Sequence, residues 1–214
     1  MSDLTTATLR NYRIVPIIVI DDLKYTDGVI GALLEGGIPV AEITLRTPIA
    51  LKVLEQASEK FPSMIAGAGT VLNADQARAA IAAGARFIVS PGFSSAVHEI
   101  AQAEKIPYFP GVATATEIQS AISYGLSLLK FFPAEQLGGL ATITALSSAF
   151  VDVEFMPSGG VSESNYIEYL NHPKVPIIGG SWIASRGAIS AGEFDQISAR
   201  ARKVTSAISE LEMK

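Results

Sequence analysis

Cysteine is absent from all 214 residues. That excludes disulfide staples, thiolate nucleophiles and Cys-ligated metal. Histidine is scarce: neither His98 nor His172 has a neighbour at metal-ligand spacing, so both are expected at the surface. Basic charge is in deficit, with 16 Lys and Arg against 21 Asp and Glu and a formal net charge of -5. A mildly acidic chain without basic runs is a poor partner for nucleic acid or an anionic membrane. No apolar run reaches the roughly 20 residues that span a bilayer. The first residues, Met1-Ser2-Asp3-Leu4-Thr5, lack the basic-then-apolar pattern of a signal peptide. A cytoplasmic location is the expectation. Also missing is the GxGxxG fingerprint of a dinucleotide-binding doubly wound sheet.

What is present is an alternation. Short apolar runs read as strands at Ile14–Ile20, Val40–Leu45, Met64–Ala68, Phe87–Val89, Tyr108–Pro110, Leu128–Phe132, Glu154–Pro157 and Val175–Ile178. Between them, amphipathic segments read as helices at Tyr25–Glu35, Pro48–Lys60, Ala74–Ala83, Ser94–Glu104, Thr116–Tyr124, Leu140–Phe150 and Ser164–Asn171. A last helix runs from Glu193 to Leu211, and Leu4–Asn11 reads as a helical lead-in. Strand then helix, repeated about eight times, is the pattern of an α/β protein of the (β/α)8 barrel class. No linker or charge block divides residues 1–214, so one domain is expected. Gly36-Gly37 and Gly84 suit helix C-termini. Pro48 suits a first helical turn, and Asn73 and Ser94 suit N-caps. Asp21-Asp22 reads as a loop or cap, and Trp182 as packing at the barrel rim.

Lys130 interrupts the apolar run Leu126–Pro133. A buried ammonium is costly to desolvate, and the neutral amine is the form that condenses with carbonyls. Strand alternation puts Leu128, Lys130 and Phe132 on one face, and Glu42, Thr44 and Arg46 on one face of the second strand. With Ile43 and Leu45 against the helices, Glu42 and Arg46 should share the barrel mouth with Lys130. A structural Lys–Glu ion pair is the plainer alternative. Active sites of such barrels lie at the C-terminal strand ends. Those ends read Gly67-Ala68-Gly69-Thr70, Ser90-Pro91-Gly92, Pro157-Ser158-Gly159-Gly160 and Gly179-Gly180-Ser181-Trp182. Glycine pairs after the last two strands suit phosphate, because glycine lets backbone amides approach an anion closely. They also suit plain tight turns, just as Thr70 suits a helix cap and Arg46 a loop tie.

Taken in order, five strings resemble the 2-keto-3-deoxy-6-phosphogluconate (KDPG) aldolase family and its relatives acting on 4-hydroxy-2-oxoglutarate (KHG) or the 6-phosphogalactonate isomer. They are Glu42–Thr47, Gly67–Leu72, Ser90–Gly92, Lys130–Glu135 and Gly179–Trp182. The resemblance implies a homotrimeric class I aldolase on a (β/α)8 barrel, without metal or cofactor, which cleaves a phosphorylated 2-keto acid. It implies that Lys130 forms a Schiff base with the C2 ketone while Glu42 moves protons. Arg46, assisted by Thr70, would hold the carboxylate. Pro91 and Phe132 would wall the pyruvate part. Ser158, Gly159, Gly160, Gly180 and Ser181 would line the other half, with its phosphate. Ser158 departs from the threonine common in the family, which leaves the tuning of substrate contacts open. A phosphosugar isomerase or epimerase, or a non-catalytic binder of a phosphorylated acid, remain rival readings of the same barrel.

Overall fold

Parallel strands covered by helices on their outer side are apolar on both faces, and the strands here follow that rule apart from the buried Glu42, Thr44 and Lys130. The computed structural model describes residues 2–213. Its strands are β1 (Ile14–Ile18), β2 (Val40–Thr44), β3 (Ile65–Gly69), β4 (Ile88–Val89), β5 (Tyr108–Phe109), β6 (Gly111–Val112), β7 (Leu128–Phe131), β8 (Glu154–Pro157) and β9 (Ile178–Gly180). All pairings are parallel. They build a six-stranded sheet ordered β5-β4-β3-β2-β1-β9 and a three-stranded sheet ordered β6-β7-β8. One extended run, broken by Pro110, serves both sheets. On one side Ser90 N donates to Phe109 O at 3.2 Å; on the other Lys130 N donates to Pro110 O at 2.8 Å. Pro110 has no N–H to donate, so it joins the β7 side through its carbonyl alone. Across the opposite gap, Phe155 N donates to Lys174 O at 2.7 Å, just before β9.

The helices are α1 (Ser2–Tyr12), α2 (Thr26–Glu35), α3 (Ala50–Lys60), α4 (Ala74–Ala82), α5 (Ser95–Ala103), α6 (Ala115–Ser123), α7 (Gly139–Ala149), α8 (Tyr166–Leu170), α9 (Arg186–Ser190) and α10 (Phe194–Glu212). Helix α3 is typical of the set. It buries Ala50, Val53, Leu54 and Ala57, one stripe at helical spacing. Asn73 accepts from Gln76 N and Ser94 from Val97 N, capping α4 and α5. Thr114 and Glu117 form a reciprocal capping box on α6. Asp22 caps a 3-10 turn, Leu23–Tyr25, that precedes α2. Leu9 of α1 is fully buried, and Arg10 of α1 pairs with Glu154 at the start of β8. No helix among the described residues is long and apolar enough to cross a membrane.

Several boundaries differ from the sequence reading. The last strand is Ile178–Gly180, not Val175–Ile178. Its register against Ile14, Val15 and Pro16 starts the strand three residues later. Helix α3 begins at Ala50, leaving Pro48 in the turn before it. His98 is not a surface residue. It is 8% exposed, and its ring lies 5.2 Å from that of Tyr124 and 6.4 Å from that of Tyr108. The buried stripe of α5 (Val97, His98, Ala101) carries it inward. His172 is half-buried, its Nε2 lying 3.1 Å from Thr144 Oγ1. Trp182 packs on Tyr166 with ring centroids 5.6 Å apart.

Candidate active site

Lys130 of β7 and Glu42 of β2 belong to different sheets, yet their side chains meet. Lys130 Nζ lies 3.5 Å from Glu42 Oε1, and the side chains are 7% and 1% exposed. The ammonium also lies 5.1 Å from the centroid of the Phe132 ring, a cation–π distance. Neither oxygen of Glu42 has a hydrogen-bond partner among the described residues. A buried carboxylate without hydrogen bonds is destabilising, and a buried ion pair is weak evidence of stabilisation. A purely structural pair would be expected to satisfy those lone pairs. Here Lys130 is the one charged neighbour of the carboxylate among the described residues.

Glycine makes room for the carboxylate. Across the ladder Glu42 faces Gly67 and Thr44 faces Gly69. A Cβ added at Gly69 would stand 2.1 Å from Glu42 Oε1 and 2.5 Å from its Cγ. Gly69→Ala is therefore expected to displace Glu42 and lower turnover at least tenfold. It should also cost about 1–3 kcal/mol of stability through overpacking. Steady-state rates and thermal melts check both effects; an alanine variant with wild-type turnover would mean that the carboxylate position is not critical.

The neighbouring strand ends complete the mouth. Lys130 pairs with Gly111, where an added Cβ would lie 2.0 Å from Pro91 O, so the Pro91 carbonyl presses against the strand beside the lysine. Arg46 lies beyond the end of β2, in a turn where strand alternation no longer fixes direction. Its Nε approaches Thr44 Oγ1 at 3.5 Å, while the Thr44 hydroxyl donates to Ile18 O at 3.1 Å. Arg46 lines a cleft of about 220 Å³ with Ile17, Val19, Ser181, Ser185 and Arg186. No hydrogen bond or ion pair joins Arg46 to Lys130 or Glu42 among the described residues. Thr70, directly after β3, has φ +59°. A β-branched residue in the left-handed region is an outlier costing about 1–3 kcal/mol, the kind of strain that clusters at functional sites.

Gly159 and Gly160 both have φ +87°, a conformation that side chains resist. Their carbonyls are tied down: Gly159 O accepts from Glu135 N at 3.0 Å and Gly160 O from Asn165 Nδ2 at 3.2 Å. The amides of Gly159, Gly160 and Val161 donate to no acceptor among the described residues. Gly159 abuts Phe132 and Pro133: an added Cβ would lie 3.2 Å from the Phe132 ring. Ser158 Oγ is buried and has no hydrogen-bond partner among the described residues, and its Cβ would stand 3.0 Å from a Cβ at Gly179. Gly180 admits the Trp182 ring, which an added Cβ would meet at 1.8 Å. Among the described residues no cluster of His, Asp and Glu is arranged for a metal. Sequence reasoning did not find the steric role of Gly69, the lining residues Ser185 and Arg186, or Tyr169, whose hydroxyl donates to Glu135. Only Gly69 had a signal, being a glycine at a strand end.

The sequence profile of the family described as KDPG and KHG aldolase matches residues 5–200. A 2-dehydro-3-deoxy-phosphogluconate aldolase of Pseudoalteromonas atlantica is 42% identical over 190 residues, 89% of this chain and 88% of that protein. The structure of a KDPG aldolase from Legionella pneumophila, with pyruvate captured at low pH as a covalent carbinolamine, superposes with a TM-score of 0.89 at 40% identity. That match covers 92% of this chain and 96% of the other. A Zymomonas mobilis KDPG aldolase with 3-phosphoglycerate gives a TM-score of 0.86 at 36% identity, covering 94% of each chain.

Proposed function

The chain belongs to the KDPG and KHG aldolase family, and from that premise we propose that it cleaves 2-dehydro-3-deoxy-6-phosphogluconate to pyruvate and glyceraldehyde 3-phosphate through a Schiff base on Lys130. The observation that carries this reading is the buried amine 3.5 Å from a carboxylate that has no other partner among the described residues. Breaking the C3–C4 bond leaves an electron pair on C3, and an iminium at C2 receives it far better than a ketone does.

The steps follow from the residues. The neutral Lys130 amine adds to C2 to give a carbinolamine. Loss of water, with Glu42 passing the proton to the departing hydroxyl, gives the iminium. Glu42 then takes the C4 hydroxyl proton; the C3–C4 bond breaks, glyceraldehyde 3-phosphate leaves, and the electrons form an enamine. Protonation at C3 and hydrolysis release pyruvate and restore the amine. Arg46 pairs with the carboxylate by a planar fork, helped by Thr70. Pro91 and Phe132 wall the pyruvate part. Ser158, Gly159, Gly160, Gly180 and Ser181 line the phosphorylated half. The unbonded amides of the glycine pair suit an anion. Shorter 4-hydroxy-2-oxoglutarate fits the same chemistry and would release glyoxylate.

The two parallel sheets are read as arcs of one eight-stranded barrel, joined through residues 108–112 and closed by the Phe155–Lys174 bond. The active assembly is taken as a homotrimer; sedimentation velocity giving a monomer at working concentration would refute that. For the activity, pyruvate release is followed by lactate dehydrogenase coupling. The phosphorylated gluconate acid should be turned over with higher kcat/KM than the galactonate epimer or 4-hydroxy-2-oxoglutarate. No pyruvate from any of the three would end the aldolase reading.

A further inference from the structure

Glu135 lies behind the glycine pair, where three independent contacts fix it. The Tyr169 hydroxyl donates to its carboxylate, and its own amide donates to Gly159 O at 3.0 Å. Its stem fills the space that Gly160 leaves open: an added Cβ there would lie 2.4 Å from Glu135 Cγ. A second glycine opens the other side. Gly139 has φ +56°, and a Cβ there would stand 2.9 Å from the Tyr169 hydroxyl oxygen and 3.1 Å from Glu135 Oε1. Asn165 completes the support. Its amide donates to Gly160 O at 3.2 Å, while its oxygen accepts from Ser162 N at 2.8 Å. Burial first, and the Glu135 carboxylate second, push the Tyr169 hydroxyl well above the usual tyrosine range, so it stays a donor at working pH.

The peptide unit is planar, with C=O and the following N–H pointing in opposite directions. Holding Gly159 O from behind therefore aims Gly160 N–H forward, and holding Gly160 O aims Val161 N–H. We propose that the Glu135–Tyr169 pair is a positioning device: by fixing Glu135, whose amide holds Gly159 O, it aims the Gly160 N–H at the phosphate end of the substrate, while Asn165 holds the next peptide. The inference rests on the phosphate reading of the glycine pair given above. Neither Glu135 nor Tyr169 is assigned a contact with the reacting atoms.

Tyr169→Phe in the full-length enzyme tests it. KM for the phosphorylated substrate should rise about fivefold, the scale of one lost hydrogen bond, with kcat within about twofold. Borohydride trapping with pyruvate, which carries no phosphate, should proceed at the wild-type rate. Glu135→Gln keeps an oxygen for the tyrosine hydroxyl and should stay near wild type; Glu135→Ala should behave like Tyr169→Phe. Inorganic phosphate should compete with substrate in the wild type and about fivefold more weakly in Tyr169→Phe. Competition of equal strength in both proteins overturns the positioning role alone. Absence of competition in the wild type overturns the phosphate reading and the inference with it. Loss of pyruvate trapping alongside the KM change marks a general structural role and also overturns it.

Discussion

Lys130→Ala and Lys130→Met are expected to lose turnover by roughly 10⁴-fold or more, the scale on which deleting a covalent nucleophile acts. Both should yield no borohydride-stable adduct with pyruvate. The reason is positional. Lys130 is the amine that β7 carries into the mouth, where Glu42 meets it. Removing it also strands a buried carboxylate, and losing one partner of a buried pair costs roughly 3–5 kcal/mol. Methionine keeps the apolar stem and limits the cavity, so Lys130→Met is the better-folded control. Thermal melts separate inactivity from unfolding. Mass spectrometry after trapping decides the assignment: an adduct on another lysine overturns it.

Glu42→Gln separates binding from proton transfer. The amide is nearly the same size, so the crowded space over Gly69 stays filled. It cannot take a proton. General acid–base catalysis is commonly worth about 10²–10⁴-fold, and a loss of that order in kcat is expected. Some pyruvate trapping should survive, because solvent can serve the slow dehydration of the carbinolamine. Turnover at the wild-type rate would remove Glu42 from the chemistry and leave it as a counter-charge.

The sequence made the centre of this site legible because parallel strands have a strict two-residue period. One lysine in an apolar run, and one glutamate in another, could point only inward or towards the helices. The structure brings the two together across sheets that share no direct pairing. Periodicity could not carry Arg46, which lies past the end of β2. Nor could it place the last strand, whose limits depend on hydrogen bonding to β1 rather than on its own apolar residues. His98 reads as exposed in the sequence because it is a polar residue on a helix, and only the fold sets it against the rings of Tyr108 and Tyr124. Ser185 and Arg186 line the cleft with Arg46 from a short helix that no sequence pattern announced. Tyr169 reads as one more aromatic of a helical stripe, and only the fold brings its hydroxyl to Glu135.

The placement of Glu42 on β2 and Lys130 on β7 has a kinetic consequence. The amine and the acid are supplied by separate halves of the polypeptide, and every strand contact between and within those halves is non-local. Such pairings form late, since chain closure must precede them. During refolding, native helix content should therefore appear before any ability to condense with a keto acid. A chain cut in the exposed turn at Gly125 would remain chemically silent in each piece and regain reactivity only when the pieces are mixed.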